Sequence, residues 1–232
     1  MGWSYNFIDE AKAEFVECFE SAKDLVFRGK KLGFVELRGI YRLNASMDGI
    51  VYNREFDLLV LVGKTNSKIP LMLLPTENMP KGFEHVNPDK DCCLGTAHEV
   101  LKKWGPGKRA EDFFRWIIDP YLVNLISFCE TGKCVTKERP HGYDGLKCYY
   151  SELLGMTIPE TDITLKYIFD RVEKKVVVKG HHICPCGSTQ NIRKCHMESI
   201  RAFVDDINCN ELSKEGFMQD MSGIMEYERR KR

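Results

Sequence analysis

His85-Val86-Asn87-Pro88-Asp89-Lys90-Asp91-Cys92-Cys93-Leu94-Gly95 brings an imidazole, a carboxamide and two thiols into one short stretch. A strand-like apolar run over residues 69–74 precedes it, and an amphipathic helix signal follows it. A cysteine thiolate is both a nucleophile and a good leaving group, so a thiol of this stretch could carry an acyl group. The tetrahedral intermediate of acyl transfer carries negative charge on oxygen, and the Asn87 amide is the candidate donor to it. The plainer reading makes Cys92 and Cys93 small buried apolar side chains and His85 a surface histidine.

Upstream of this stretch, Ile8, Ala11, Phe15, Phe19, Ala22 and Val26 recur at steps of three and four, predicting a helix over 5–27. Ser4 suits its N-cap and Gly29 its end. Strands are expected over 34–44, 56–62 and 69–74, with turns at Asp48-Gly49 and Asn66-Ser67 and a loop marked by Pro75 and Pro80. Downstream, Phe113, Ile117, Tyr121, Leu125 and Phe128 predict a helix over 108–128, kinked or split at Pro120. Residues 131–155, interrupted by Gly132, Pro140, Gly142 and Gly145, read as irregular. A boundary falls near 155–160, around Pro159. Val176-Val177-Val178 reads as a short strand or linker, and a helix follows from Glu198 with Ile200, Phe203, Val204 and Ile207 apolar. The run Glu228-Arg229-Arg230-Lys231-Arg232 reads as a solvated tail.

A helix, an antiparallel meander, a His-x-Asn motif, a loop, Cys-Leu and then Trp-x-Pro make up the pattern of ubiquitin-conjugating enzymes. This chain resembles it in His85-Val86-Asn87, Cys93-Leu94 and Trp104-Gly105-Pro106. The loop is shorter than in the eukaryotic enzymes, and Arg139-Pro140-His141-Gly142-Tyr143-Asp144-Gly145 resembles a His-Gly-x-x-Gly stretch of bacterial relatives. The resemblance spans roughly residues 5–155. It implies an α+β ubiquitin-conjugating (UBC-like) fold over 1–158, with Cys93 carrying a thioester, Asn87 as oxyanion donor and His85 holding the loop by hydrogen bonds.

The last third holds Cys184-Pro185-Cys186, then eight residues, then Cys195-His196. Four soft or borderline donors at this spacing suit a closed tetrahedral Zn2+ site of structural type. His181 and His182 are alternative donors ranked below His196. Cys184-Pro185-Cys186-Gly187-Ser188 and Lys194-Cys195-His196 resemble the SEC-C motif, a zinc module found at the C-terminus of bacterial SecA and elsewhere. The second domain is therefore expected over 159–232, with the zinc module at about 180–200.

Net charge is zero, which argues against nucleic acid or a membrane surface as a bulk electrostatic partner. The start of the chain has no signal-peptide pattern and no run reaches the length of a membrane span, so a cytoplasmic setting is expected. The ten cysteines then read as thiols and metal ligands, not as a disulfide framework. The resemblance implies a transferase that accepts a protein C-terminus from an activating enzyme. The carrier would be a ubiquitin-like protein or a nucleotidyltransferase, and the acceptor an amine on a target protein, as in CBASS and related bacterial antiphage defence operons. The alternatives are an inactive adaptor that binds partners through the zinc module, and a cysteine hydrolase using His98 or His141 as base.

Overall fold

Asp48 and Gly49 adopt φ of 51° and 80°, the left-handed pair that a two-residue hairpin turn requires. They join β1 (Phe34–Met47) to β2 (Ile50–Gly63). The two strands run antiparallel, with Met47 opposite Ile50 and Phe34 opposite Gly63. β3 (Leu71–Leu73) pairs antiparallel with β2, giving the sheet order β1-β2-β3. These elements come from a computed structural model that describes residues 34–63, 71–73, 79–87, 90–103, 110–136 and 138–231. The expected helix at 5–27, the turn at Asn66-Ser67 and the Trp104-Gly105-Pro106 motif lie outside the described residues.

The chain is α+β. Its helices are α1 (Ala97–Lys103), α2 (Ala110–Phe113), α3 (Asp119–Thr131), α4 (Gly142–Leu154), α5 (Ile158–Glu173), α6 (Met197–Cys209) and α7 (Glu211–Arg230). It divides into two units. The first comprises 1–95 and 100–138, the second 96–99 and 139–232. The sequence places the boundary after residue 158, whereas this division falls after Glu138. The reason is α4, whose Tyr149, Tyr150 and Leu154 are buried in the core of the second unit.

In the first unit, strand alternation buries Tyr41 and Leu43 from β1 and Tyr52, Phe56, Leu58 and Val60 from β2. They pack with Phe113, Phe114, Ile118 and Leu122. Tyr41 stacks on Phe114 with ring centroids 4.9 Å apart, and its hydroxyl donates to the Asp119 carboxylate at 2.6 Å. The expected break at Pro120 takes a milder form. Residues Phe114–Ile118 widen into a π-helical turn, in which the Asp119 N–H reaches the Phe114 carbonyl. Proline brings no N–H and crowds the preceding turn. A single wide turn absorbs that without ending the helix.

The second unit corrects three sequence readings. The segment read as irregular contains α4, because Gly145 is there for close approach and not as a breaker. A Cβ at Gly145 would sit 2.0 Å from the Pro140 carbonyl oxygen. The supposed boundary is a helix junction. Gly155 closes α4 in a left-handed conformation, and Thr157 and Glu160 form a capping box that opens α5. The supposed tail is the last part of α7, where Glu228 accepts from Lys166 at 2.9 Å and from the Tyr143 hydroxyl at 3.2 Å. Val176-Val177-Val178 forms no strand. Ile200, Phe203, Val204 and Ile207 of α6 are buried as their spacing predicts.

Tyr150, Phe203 and Phe217 pack edge to face, with centroids 5.4–5.9 Å apart. Beside them α7 meets residues 97 and 98 almost backbone to backbone. A Cβ at Gly216 would lie 2.6 Å from the His98 Cα. One turn further on, the Asp220 carboxylate accepts the N–H of Ala97 at 2.9 Å, the N–H of His98 at 3.1 Å and the Tyr150 hydroxyl at 2.8 Å. Burial nevertheless pushes the Asp220 carboxyl up to about 6.

Candidate functional site

The stretch after Phe83 folds back on itself. Val86 pairs antiparallel with Cys92, and the Cys93 N–H donates to the His85 carbonyl at 3.0 Å. Inside this narrow loop the Asn87 N–H reaches the Asp91 carbonyl at 2.8 Å, and the Lys90 N–H reaches the Asn87 carbonyl at 2.9 Å. Lys90 closes the turn in the left-handed region, with φ 68°. The base of the loop is fixed from the helix side, where the Tyr121 hydroxyl donates to the His85 carbonyl at 2.9 Å. Burial holds that phenol far above its usual range, so it stays a donor at every ordinary pH.

This folding treats the paired thiols differently. Cys92 is 2% exposed and belongs to the apolar core, while Cys93 is half-buried at the loop's end. Burial pushes the Cys93 thiol up; a hydrogen bond from the Gly95 backbone opposes this and the Asp91 charge adds to it. The Asn87 amide donates to the Asp91 carboxylate at 2.7 Å. The His85 ring lies 5.2 Å from that of Phe83, centroid to centroid, and its Nε2 approaches the Glu138 carboxylate at 3.2 Å. His98 is fully buried in the core of the second unit, with Nδ1 2.7 Å from the Tyr149 hydroxyl. It therefore lacks the exposure that a base acting on substrate needs. His141 stands at the N-terminus of α4 and is partly exposed.

In the second unit, Cys184, Cys186, Cys195 and His196 converge with their donor atoms within 4.8 Å of one another, a group able to hold a metal ion. The local chain explains the convergence. Ile183 pairs with Asn191, the Cys184 N–H bonds the Gln190 carbonyl at 2.8 Å, and Gly187 turns the backbone at φ 91°. A single 3-10 turn (Ile192–Lys194) delivers Cys195, and His196 caps α6. Neighbouring donors are 3.2–3.6 Å apart. A tetrahedral ion with metal–sulfur bonds of about 2.3 Å has ligand–ligand edges of about 3.8 Å, so the spacing fits one ion with little adjustment. No disulfide joins the described cysteines. Burial pushes the Cys184 thiol up. At Cys186 burial is outweighed by hydrogen bonds from Ser188 and the neighbouring thiols, and the group is held below the usual thiol range. His181 and His182 pack edge to face with centroids 4.8 Å apart and are not members of the cluster.

One grouping escaped the sequence. His85, Cys134 and Glu138 place their ligand atoms within 4.8 Å of one another. Burial, reinforced by the Glu138 carboxylate, pushes the Cys134 thiol up to about 12. The only local signal is a Cys-x-x-x-Glu spacing, which does not point across 49 positions of sequence to His85.

The chain matches no protein-family model, no curated protein and no solved structure.

Proposed function

We propose that this chain is a ubiquitin-conjugating-like acyl transferase that carries a protein C-terminus as a thioester on Cys93 and passes it to an amine on a target. The observation that carries the reading is the division of labour at the paired thiols. Cys92 is locked into the core, while Cys93 ends a hydrogen-bonded loop whose base is tied to α3 through Tyr121. In the first step the Cys93 sulfur attacks the activated carrier carbonyl and the activating enzyme's thiol leaves with the proton. In the second an amine attacks the thioester, the C–S bond breaks, and the thiol is regenerated. Asn87 serves as oxyanion donor by giving up its bond to Asp91 or by using its second amide hydrogen.

The fold would be UBC-like with a SEC-C module, and the four-ligand cluster would hold structural Zn2+. A cytoplasmic role in bacterial antiphage defence follows from the same resemblance.

The test is intact-protein mass spectrometry of Cys93→Ser, co-expressed with the adjacent genes. Serine converts the thioester into a more stable oxyester. The expected result is an added mass equal to a neighbouring protein, lost in Cys93→Ala and kept in Cys92→Ala. A second reading, an inactive adaptor working through the zinc module, is favoured by the engagement of Asn87 with Asp91 and by the burial that keeps Cys93 protonated. It takes over if no adduct forms in any variant beside an activating enzyme shown to be active.

A further inference from the structure

His85, Cys134 and Glu138 offer a ring nitrogen, a thiol sulfur and a carboxylate oxygen within 4.8 Å of one another. Two of the three residues are held in place by the backbone around them. The His85 carbonyl accepts from both Tyr121 and the Cys93 N–H, and its ring is flanked by Phe83. On the other side, the irregular segment after α3 is pinned at both flanks of Cys134. The Lys133 carbonyl accepts from Ser127 Oγ at 2.9 Å. The Val135 and Thr136 N–H groups both donate to Asn124 Oδ1 at 3.0 Å, and Asn124 Nδ2 donates to Thr136 Oγ1 at 2.6 Å. Asn124 and Ser127 are buried polar side chains of α3 that spend these hydrogen bonds on this segment. That is the arrangement of a supported ligand, with a rigid element behind and fixed donors in front.

We propose that His85, Cys134 and Glu138 form a second metal site, for Zn2+, distinct from the cluster in the second unit. A mixed nitrogen, sulfur and oxygen set suits zinc better than a hard cation, which takes oxygen ligands alone. Three protein ligands leave the fourth position to water, the pattern of an open site and not of a closed structural one. The entry path lies on the Glu138 side, whose side chain is 52% exposed against 17% for His85. Because the His85 carbonyl holds the Cys93 N–H, an ion here would stiffen the end of the loop that presents Cys93. The proposal goes beyond the transferase reading and stands whether or not Cys93 carries an acyl group.

Native mass spectrometry of the full chain, incubated with a small excess of zinc and desalted, counts bound ions. Cys134→Ser is expected to hold one ion fewer than the wild type. Glu138→Ala, which trims a solvent-facing side chain, is expected to bind the second ion at least ~10-fold more weakly in competition with a chelator. Circular dichroism establishes that each variant is folded; if Cys134→Ser is not, Glu138→Ala alone decides. An unchanged ion count in folded Cys134→Ser, or unchanged affinity in Glu138→Ala, overturns the proposal. Loss of the ion from either variant while Cys93→Ser still acquires its adduct would separate this site from the acyl-carrier reading.

Discussion

Lys90 is the residue at which the loop between Val86 and Cys92 stores strain. A side chain in the left-handed region costs roughly 1 kcal/mol that glycine does not incur, and Lys90 sits there at φ 68°. Lys90→Gly should leave the loop's shape unchanged and raise stability by about 0.5 kcal/mol after its extra unfolded-state entropy, read as a shift of the urea midpoint at constant slope. At Cys93 the expected readout is pH. Its raised thiol pKa means that the thiolate fraction, and with it the rate of alkylation, keeps climbing beyond the pH at which an ordinary cysteine levels off. Asp91→Asn removes the charge that adds to the effect of burial and should speed alkylation at neutral pH. Peptide mapping should find Cys92 unmodified in the folded chain. The chemistry of this loop was legible in the sequence because its residues are neighbours. Which of two adjacent thiols faces inward was not, since that depends on Val86 pairing with Cys92. The convergence of Cys134 and Glu138 on His85 was hidden for a related reason: a tertiary contact leaves no periodic trace.

At the scale of elements, glycine and proline misled most. Sequence logic treats Gly142 and Gly145 as breaks, yet Gly145 is a packing residue inside α4. Gly145→Ala should drive a methyl group into the Pro140 carbonyl 2.0 Å away and lower stability by about 2 kcal/mol or more, seen as an earlier thermal transition. Pro120 was legible as a disturbance but not in its form, because the sequence does not show that one π-turn can absorb it. The strands fared better. Alternation and the Asp48-Gly49 turn fix the β1–β2 register, since a slip of one residue would turn Tyr52, Phe56, Leu58 and Val60 to the opposite face.

Over the whole molecule, the four-ligand cluster and the buried Asp220 carboxyl are the features expected to tie stability to solution conditions. The second unit builds its cysteine cluster from short turns with few apolar side chains between them, so a bound ion should contribute much of that region's folding energy. Cys186→Ser, or chelation of the wild type, is expected to lower the helical circular dichroism signal and the melting temperature together. Asp220 gives a pH signature of opposite sign to that of an ordinary paired carboxylate. Its folded pKa of about 6 lies above the unfolded value of about 3.9. The folded state therefore holds the proton more tightly, and this group's contribution falls as pH rises from about 4 to about 6, then levels. Asp220→Asn should flatten that part of the stability profile measured by urea unfolding.

The place of Thr96–Glu99 in the second unit, with the chain on either side assigned to the first, bears on how the protein can be dissected. A fragment covering 139–231 would leave the bare backbone of Gly216 as an empty groove and the buried Asp220 without two of its donors. A synthetic peptide spanning Thr96–Glu99 carries those two N–H groups and the His98 ring. Fragment and peptide are thus natural halves of a complementation pair, with α7 as the receptor and Thr96 with the first three residues of α1 as the key.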